Sequence, residues 1–290
     1  MMIIKKLKLG FSLIELSVVI LIIGILVLGV TQGSRILTEV KLKSAIALTT
    51  SSPVTATPDL AIWLETTSPK SFDAGIADGS SIANWYNIDP KNTQGLKATQ
   101  GNSANQPTYT AKGINDLPSI KFVRANKNYM SIASGFDGDT ENVTLFLVFK
   151  ANSTSTVEMN IIEKWDESMS QYPYVLRSTS SYNWGVYNGY HNPFVTGTVA
   201  KKNNVTHLIS ARRVKNGNMQ LWVNSVQDGV TVTDTTPSTT VNNNNLFIGC
   251  RGNVSACTDG YIGEIIVFSR ALQDSERIAI EEYLRQKWGI

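Results

Sequence analysis

The chain has 290 residues, 42% hydrophobic and 17% charged, the balance of a structured product with one long helix and one domain of roughly 230 residues. Its formal net charge is +3, and Lys5, Lys6 and Lys8 alone supply that excess, so the charge gives no footing for nucleic-acid binding. With two histidines, His191 and His207, and two cysteines, there is little material for a zinc site or a Ser-His-Asp triad, and no phosphate-binding glycine loop is present.

Residues 1–10 form a lysine-bearing leader, and Phe11 to Val30 is a run of 20 residues with one charge, Glu15. A helix of that length rises about 30 Å, enough to cross a hydrocarbon core. The lysines before it keep the N-terminus cytoplasmic and put everything beyond Val30 outside. No small-residue cleavage site follows the run, as it would in an ordinary secretory signal. A cut placed before it would leave the apolar segment in the mature protein. Glu15 is the anomaly, because a carboxylate inside a span costs roughly 2.5 to 3.5 kcal/mol and calls for a partner. An amino terminus created before Phe11, on a neighbouring subunit, is the nearest positive charge.

Gly10-Phe11-Ser12-Leu13-Ile14-Glu15, continued by the apolar run to Leu26, resembles the prepilin signature of the type IV pilin family, which includes the pseudopilins of type II secretion. The resemblance implies cleavage between Gly10 and Phe11 by a prepilin peptidase, N-methylation of Phe11, and pairing of Glu15 with the amino terminus of an adjacent subunit. It also implies residence in the inner membrane, then handling by a pilus or type II secretion machine into an extracellular pilus or a periplasmic pseudopilus. Many filament-forming pilins carry a proline near the position of Gln32; without it this helix is expected to be more continuous.

From Thr31 the outer half of the helix carries Ile36, Leu37, Val40, Ala45, Ile46 and Leu48 on an apolar stripe. The expected helix covers 11–52, a linker 53–58 follows at Pro53 and Pro58, and 59–290 reads as one domain. That domain alternates short apolar runs with Gly, Asn, Asp, Ser and Thr. Strands are expected at Ser119 to Val123, Thr144 to Lys150, Met159 to Lys164, Tyr174 to Arg177 and Asn183 to Tyr187, and again at Thr206 to Arg213, Met219 to Asn224, Leu246 to Gly249 and Tyr261 to Ser269. This spacing indicates an antiparallel sandwich or jelly roll. Cys250 and Cys257, seven positions apart on the exported side, favour a local disulfide worth about 2 to 3 kcal/mol. At the end, Ile278, Ile280, Tyr283, Leu284 and Trp288 suit one side of a short helix, with acids at its start, Arg285 and Lys287 near its end and Gly289 as the stop. That helix is expected at the rim of the sandwich.

The runs Asp59-Leu60-Ala61-Ile62-Trp63-Leu64-Glu65, Trp85-Tyr86-Asn87 and Gln106-Pro107-Thr108-Tyr109 look like the opening of bacterial concanavalin A-like, laminin-G-like domains. The ending from Gly260 to Leu272 is similar to their final strand. The implied fold class is a long N-terminal α-helix followed by an all-β antiparallel jelly-roll sandwich, concanavalin A-like, with a short C-terminal helix. Within it Glu158-Met159-Asn160-Ile161-Ile162-Glu163 resembles the paired-glutamate strand of laminarinase-type glycoside hydrolases, with Asn160 where that family has an aspartate. Retaining hydrolysis needs the two carboxyls about 5 to 5.5 Å apart, and residues five apart on a regular strand point to opposite faces, so a bulge would be required. The expectation is therefore no enzyme.

Between Tyr172 and Phe194 the aromatic density is high. Tyr174 and Trp184 are expected in the core, whereas Tyr187, Tyr190 and His191, near Gly189, are candidate glycan-binding residues. Asp137, Asp139 and Glu141 stand two apart, as in calcium loops, but lack a complete loop motif, so a solvated turn and no cofactor are expected. These readings converge on a pilin-like filament subunit that displays a lectin-like domain for adhesion to a carbohydrate or surface. The alternatives are a minor pseudopilin contacting cargo and a surface-tethered glycoside hydrolase using Glu158 and Glu163.

Overall fold

The computed structural model describes residues 13–93, 95–133, 141–164, 172–187, 192–236 and 245–290. The chain divides into two compact units, Met1–Lys43 and Ser44–Ile290. Helix α1, Leu13–Thr50, begins in the first and ends in the second. In the first unit Leu16, Ile20, Leu21 and Leu26 are each more than half exposed, an apolar surface that water does not favour. Among the described residues no helix is long and apolar enough to cross a membrane. The expected span begins at Phe11, and Phe11, Ser12 and the side chain of Glu15 lie outside those residues.

The second unit is a two-sheet sandwich. Its strands are β1 Leu60–Glu65, β2 Asn84–Tyr86, β3 Lys97–Thr99, β4 Thr108–Ile114, β5 Leu117–Phe122 and β6 Met130–Ile132. Then come β7 Val143–Ala151, β8 Met159–Lys164, β9 Tyr172–Ser178, β10 Ser181–Tyr187, β11 Phe194–Ala200 and β12 Thr206–Arg213. The last are β13 Asn218–Val223, β14 Val226–Gln227, β15 Val232–Thr233, β16 Leu246–Ile248 and β17 Gly260–Phe268, followed by helix α2, Asp274–Trp288. One sheet runs β14-β13-β12-β7-β17-β5-β4, with β1 also on β17 and β15 on β13; the other runs β11-β10-β9-β8-β16-β6-β3-β2. Every pairing is antiparallel.

The alternation of each strand sorts its side chains. Leu145, Leu147 and Phe149 of β7 meet Tyr174 and Leu176 of β9, Tyr182 and Trp184 of β10 and Leu246 and Ile248 of β16 in the core between the sheets. Tyr174 and Trp184 stack there at 6.0 Å. His207 is also internal, its Nδ1 2.8 Å from the Tyr182 hydroxyl across the sandwich, and burial holds its pKa below the usual histidine value.

A second apolar cluster covers the outer face of the nine-stranded sheet. Phe146 and Val148 of β7 and Ile266 of β17 pack there against Ile280, Leu284 and Trp288 of α2 and against Ala45 and Val54. Helix α2 thus lies on a sheet face instead of the rim. Its buried stripe includes Arg277, Ile280, Tyr283, Leu284, Lys287 and Trp288, while Ile278 is 54% exposed. The helix is framed by a reciprocal Gln273–Glu276 capping box and by Gly289 in the left-handed region.

A buried charge cluster fixes where α2 sits on that apolar face. Glu65 of β1 and Glu264 of β17 are direct cross-strand partners, an arrangement that opposes two like charges. Lys287 Nζ resolves it, 2.9 Å from Glu65 Oε2 and 2.8 Å from Glu264 Oε2, with all three side chains fully buried. Glu264 also accepts from Trp63 Nε1 at 2.7 Å, the Tyr283 hydroxyl at 2.8 Å and Trp288 Nε1 at 2.9 Å. Glu65 accepts from the Thr67 amide and hydroxyl. Burial alone would raise the Glu65 pKa, but the Lys287 charge and these hydrogen bonds bring it below the ordinary value. Gly263 makes room for the arrangement, since a Cβ there would lie 2.5 Å from the Trp288 ring. The end of α1 joins the cluster through Thr49 Oγ1, 3.4 Å from the Tyr283 hydroxyl.

Lys287→Met would leave two buried carboxylates facing each other, and urea unfolding is expected to register a loss of about 3 to 5 kcal/mol. Adding Glu65→Gln and Glu264→Gln to that variant is expected to restore part of it.

Candidate functional site

With one outer face closed by α2 and residues 44–54, the outer face of the eight-stranded sheet is the broad surface that remains. Its inward residues, such as Trp85, Met130, Ile162, Leu176, Trp184 and Ile248, belong to the core. By alternation the outward ones are Tyr86, Thr99, Ser131, Phe247, Asn160, Glu163, Arg177, Asn183, Gly185 and Phe194.

The centre of this face is shaped by a bulge. In the pairing of β8 with β9, Asn160 opposes Arg177 and Ile162 opposes Leu176, so the register shifts between Asn160 and Ile162. The inserted residue, Ile161, goes to the core, and the strand resumes with Glu163 on the side that Asn160 and Glu158 occupy. The condition that a regular strand could not meet is met by this one extra residue.

The loop closed by the Cys250–Cys257 disulfide straps over that strand. Gly252 N–H donates to Glu163 Oε1 at 3.0 Å, and Asn160 Nδ2 to Glu163 Oε2 at 2.5 Å. Asn160 N–H bonds to Ala256 O, and Thr258 Oγ1 donates to Asn160 O. Glu163 is consequently fully buried, and its pKa is pushed up to about 8, burial outweighing the Gly252 amide and the Arg251 charge. Burial thus favours its protonated form. Asn160 Oδ1 is buried without a partner, and a half-turn of that amide would let it accept the Glu163 hydroxyl proton.

Glu158 has the opposite environment. Its Oε1 lies 2.5 Å from Arg251 Nη2 and its Oε2 3.1 Å from Arg177 Nη1, at a half-buried position open to solvent. The Arg177 guanidinium stacks 4.3 Å from the Phe194 ring centroid. Phe194 in turn lies over Gly185, where a Cβ would meet the ring at 2.2 Å. Across the sheet Phe247 and Tyr129 have ring centroids 6.3 Å apart. At the β2 edge Tyr86 donates to Asp73 at 2.6 Å beneath Lys97, whose Nζ is 5.2 Å from the ring centroid. The face thus combines flat aromatic rings with planar hydrogen-bonding groups, the chemistry that sugar rings engage. Away from it, a polar cavity of about 260 Å³ opens among Asp59, Asn87, Asp89, Lys91 and Asn92.

Of the residues singled out in the sequence, Cys250 and Cys257 form the disulfide. Gly10, Phe11, Tyr190 and His191 lie outside the described residues, as do the side chains of Glu15 and Tyr187. Asp137 and Asp139 lie outside them too, and Glu141 pairs with Lys215 at 3.0 Å. Among the described residues no group of acids, histidines or cysteines is placed to hold a metal. Sequence reading passed over Arg177, Arg251, Phe194 and Phe247. The outward phase of β9 was the one signal for Arg177, and nothing local marked Arg251, which reaches the face only because its loop is strapped to β8.

Comparison with known proteins agrees with this architecture. The sequence model described as the concanavalin A-like lectin/glucanases superfamily matches residues 124–276, and that of the prokaryotic N-terminal methylation motif matches residues 5–31. No curated protein matches the sequence. Among solved structures, a Trypanosoma rangeli sialidase in complex with sialic acid is similar with a TM-score of 0.54 at 13% identity, over 80% of this chain and 34% of the sialidase. The binding domain of Paraclostridial Mosquitocidal Protein 1 is similar with a TM-score of 0.53 at 11% identity, over 80% of this chain and 55% of that one. Domain 4 of AbnA, a GH43 extracellular arabinanase from Geobacillus stearothermophilus in complex with arabinotriose, is similar with a TM-score of 0.50 at 13% identity, over 78% of this chain and 98% of that domain. At such identities the likeness concerns the fold.

A raised carboxyl pKa means that the folded protein holds a proton the unfolded chain releases. Glu163 therefore contributes most to stability below pH 4.5, and its contribution is lost as pH rises to about 8. Melting followed across that range is expected to show a decline on the order of a few kcal/mol. In Glu163→Gln that part of the slope is absent.

Proposed function

We propose that this chain, which belongs to the concanavalin A-like lectin/glucanases superfamily and carries the prokaryotic N-terminal methylation motif, is a pilin-like surface subunit whose sandwich adheres to carbohydrate. The observation that carries the reading is the division of labour between the two outer faces of the sandwich. One packs α2 and the end of α1; the other presents Tyr86, Phe247, Phe194 and Arg177 to solvent. Prepilin peptidase cuts after Gly10, Phe11 becomes the methylated terminus, and Glu15 pairs with the terminus of a neighbouring subunit as the helices pack. The exposed apolar side chains of α1 suit first a membrane and then a bundle of such helices. On this reading residues 1–10 are the leader, 11–52 the assembly helix, 53–58 the connection and 59–290 the displayed domain.

The hydrolase reading has the bulge in its favour, since Glu158 and Glu163 come to one face. Against it, Glu163 is sealed beneath the disulfide loop and both Glu158 oxygens are engaged by arginines, which leaves no carboxyl open to a leaving group. We therefore assign the face to binding.

Intact mass of the protein recovered from its host membrane is expected to correspond to residues 11–290 plus one methyl group, and to the full chain where prepilin peptidase is deleted. Glu15→Ala is expected to abolish filament assembly while the processed subunit accumulates in the membrane. A glycan array probed with the full-length protein in detergent tests adhesion; silence across the array would sink that part of the reading and favour a subunit that contacts protein cargo.

A further inference from the structure

We infer that the sugar recognised by this face is acidic, its carboxylate gripped by Arg177 and Arg251. This rests on the adhesive reading above and specifies its ligand.

The two guanidinium groups come from distant parts of the chain, one from β9 and one from the disulfide loop, and converge on a single carboxylate, that of Glu158. Each donates through one terminal nitrogen, Arg177 through Nη1 and Arg251 through Nη2. The Nε of each is buried without a partner. Among the described residues Arg177 Nη2 and Arg251 Nη1 have no hydrogen-bond partner, and the side chains are 31% and 29% exposed. A fork of planar donors set at the surface, with part of its capacity unspent, matches the geometry of a carboxylate.

The local charge balance points the same way. Arg124 donates from Nη2 to the Glu158 carbonyl at 3.1 Å, bringing a third guanidinium to the strand. Lys201 lies close enough to Arg124 to sense its charge. Among the described residues the Glu158 carboxylate and Asp259 stand against these cations; Glu163, the other acid described there, is neutral when protonated. An incoming anion therefore meets an excess of positive charge, and Glu158 already shows where a carboxylate sits. Phe194, lying beneath Arg177 and over Gly185, helps to hold that guanidinium in place.

The test uses the full-length protein in detergent, with trigalacturonate, its carboxyl-reduced neutral counterpart and a sulfated disaccharide as probes in isothermal titration. Trigalacturonate is expected to bind at least about tenfold more tightly than the neutral sugar. Arg177→Ala and Arg251→Ala are each expected to lose that margin, and Glu158→Gln, which frees the fork, to raise the affinity. Equal binding of the neutral and acidic sugars would overturn the assignment while leaving adhesion standing, as would arginine variants that melt like the parent and bind like it. A sulfated sugar that binds as well as the uronate would overturn carboxylate recognition in favour of general anion capture. No binding to any sugar here or on the array would remove both readings. Should an arginine variant fail to fold, the acidic-to-neutral ratio and Glu158→Gln decide.

Discussion

The structure turns on Lys287. Two carboxylates, Glu65 and Glu264, are forced together by the pairing of β1 with β17, in a place water does not reach. A buried pair of like charges is untenable without a counter-charge and a full set of donors. Helix α2 supplies both, with the Lys287 ammonium between them and Tyr283 and Trp288 completing the shell of Glu264. Burial would lower the pKa of Lys287, yet the two carboxylates raise it above the ordinary value. The charge is thus held where the sandwich needs it.

This constraint propagates. Because α2 must bring Lys287 to that point, it lies across the nine-stranded sheet, and residues 44–54 fill the rest of the second apolar cluster. The opposite face is left to water, and it is the face to which we assign binding. There a second local device, the bulge at Ile161 with the disulfide loop strapped over it, buries one glutamate and leaves the other between two arginines. The same hexapeptide that suggests a pair of catalytic acids thus yields one buried glutamate, whose pKa burial raises, and one half-exposed glutamate held by two arginines. Environment separates them, since the sequence gives both as glutamate.

Legibility varied along the chain in a way that physics explains. Strands buried along most of their length, such as Met159–Lys164 and Thr206–Arg213, coincide with their expected bounds, because their apolar residues stand out from the polar loops that bound them. Several short strands did not announce themselves. β2, β3 and β6 have three residues each and β14 and β15 two, too few to display a period. The C-terminal helix was legible through its caps, yet its buried stripe includes Arg277, Glu281 and Lys287. Charged residues read as solvent-facing when their partners lie more than 200 positions away, as Glu65 does from Lys287.

By itself the sequence determined the features that depend on neighbours along the chain: the N-terminal methylation motif and the apolar run with its one acid, the alternation of a β-sandwich, the caps of α2 and the proximity of two cysteines. The tertiary structure decided which charges are buried, which face stays open and which arginines meet, because each of these is a contact between residues far apart in sequence. Desolvation and Coulomb energy act on distance in space, and only the fold sets that distance.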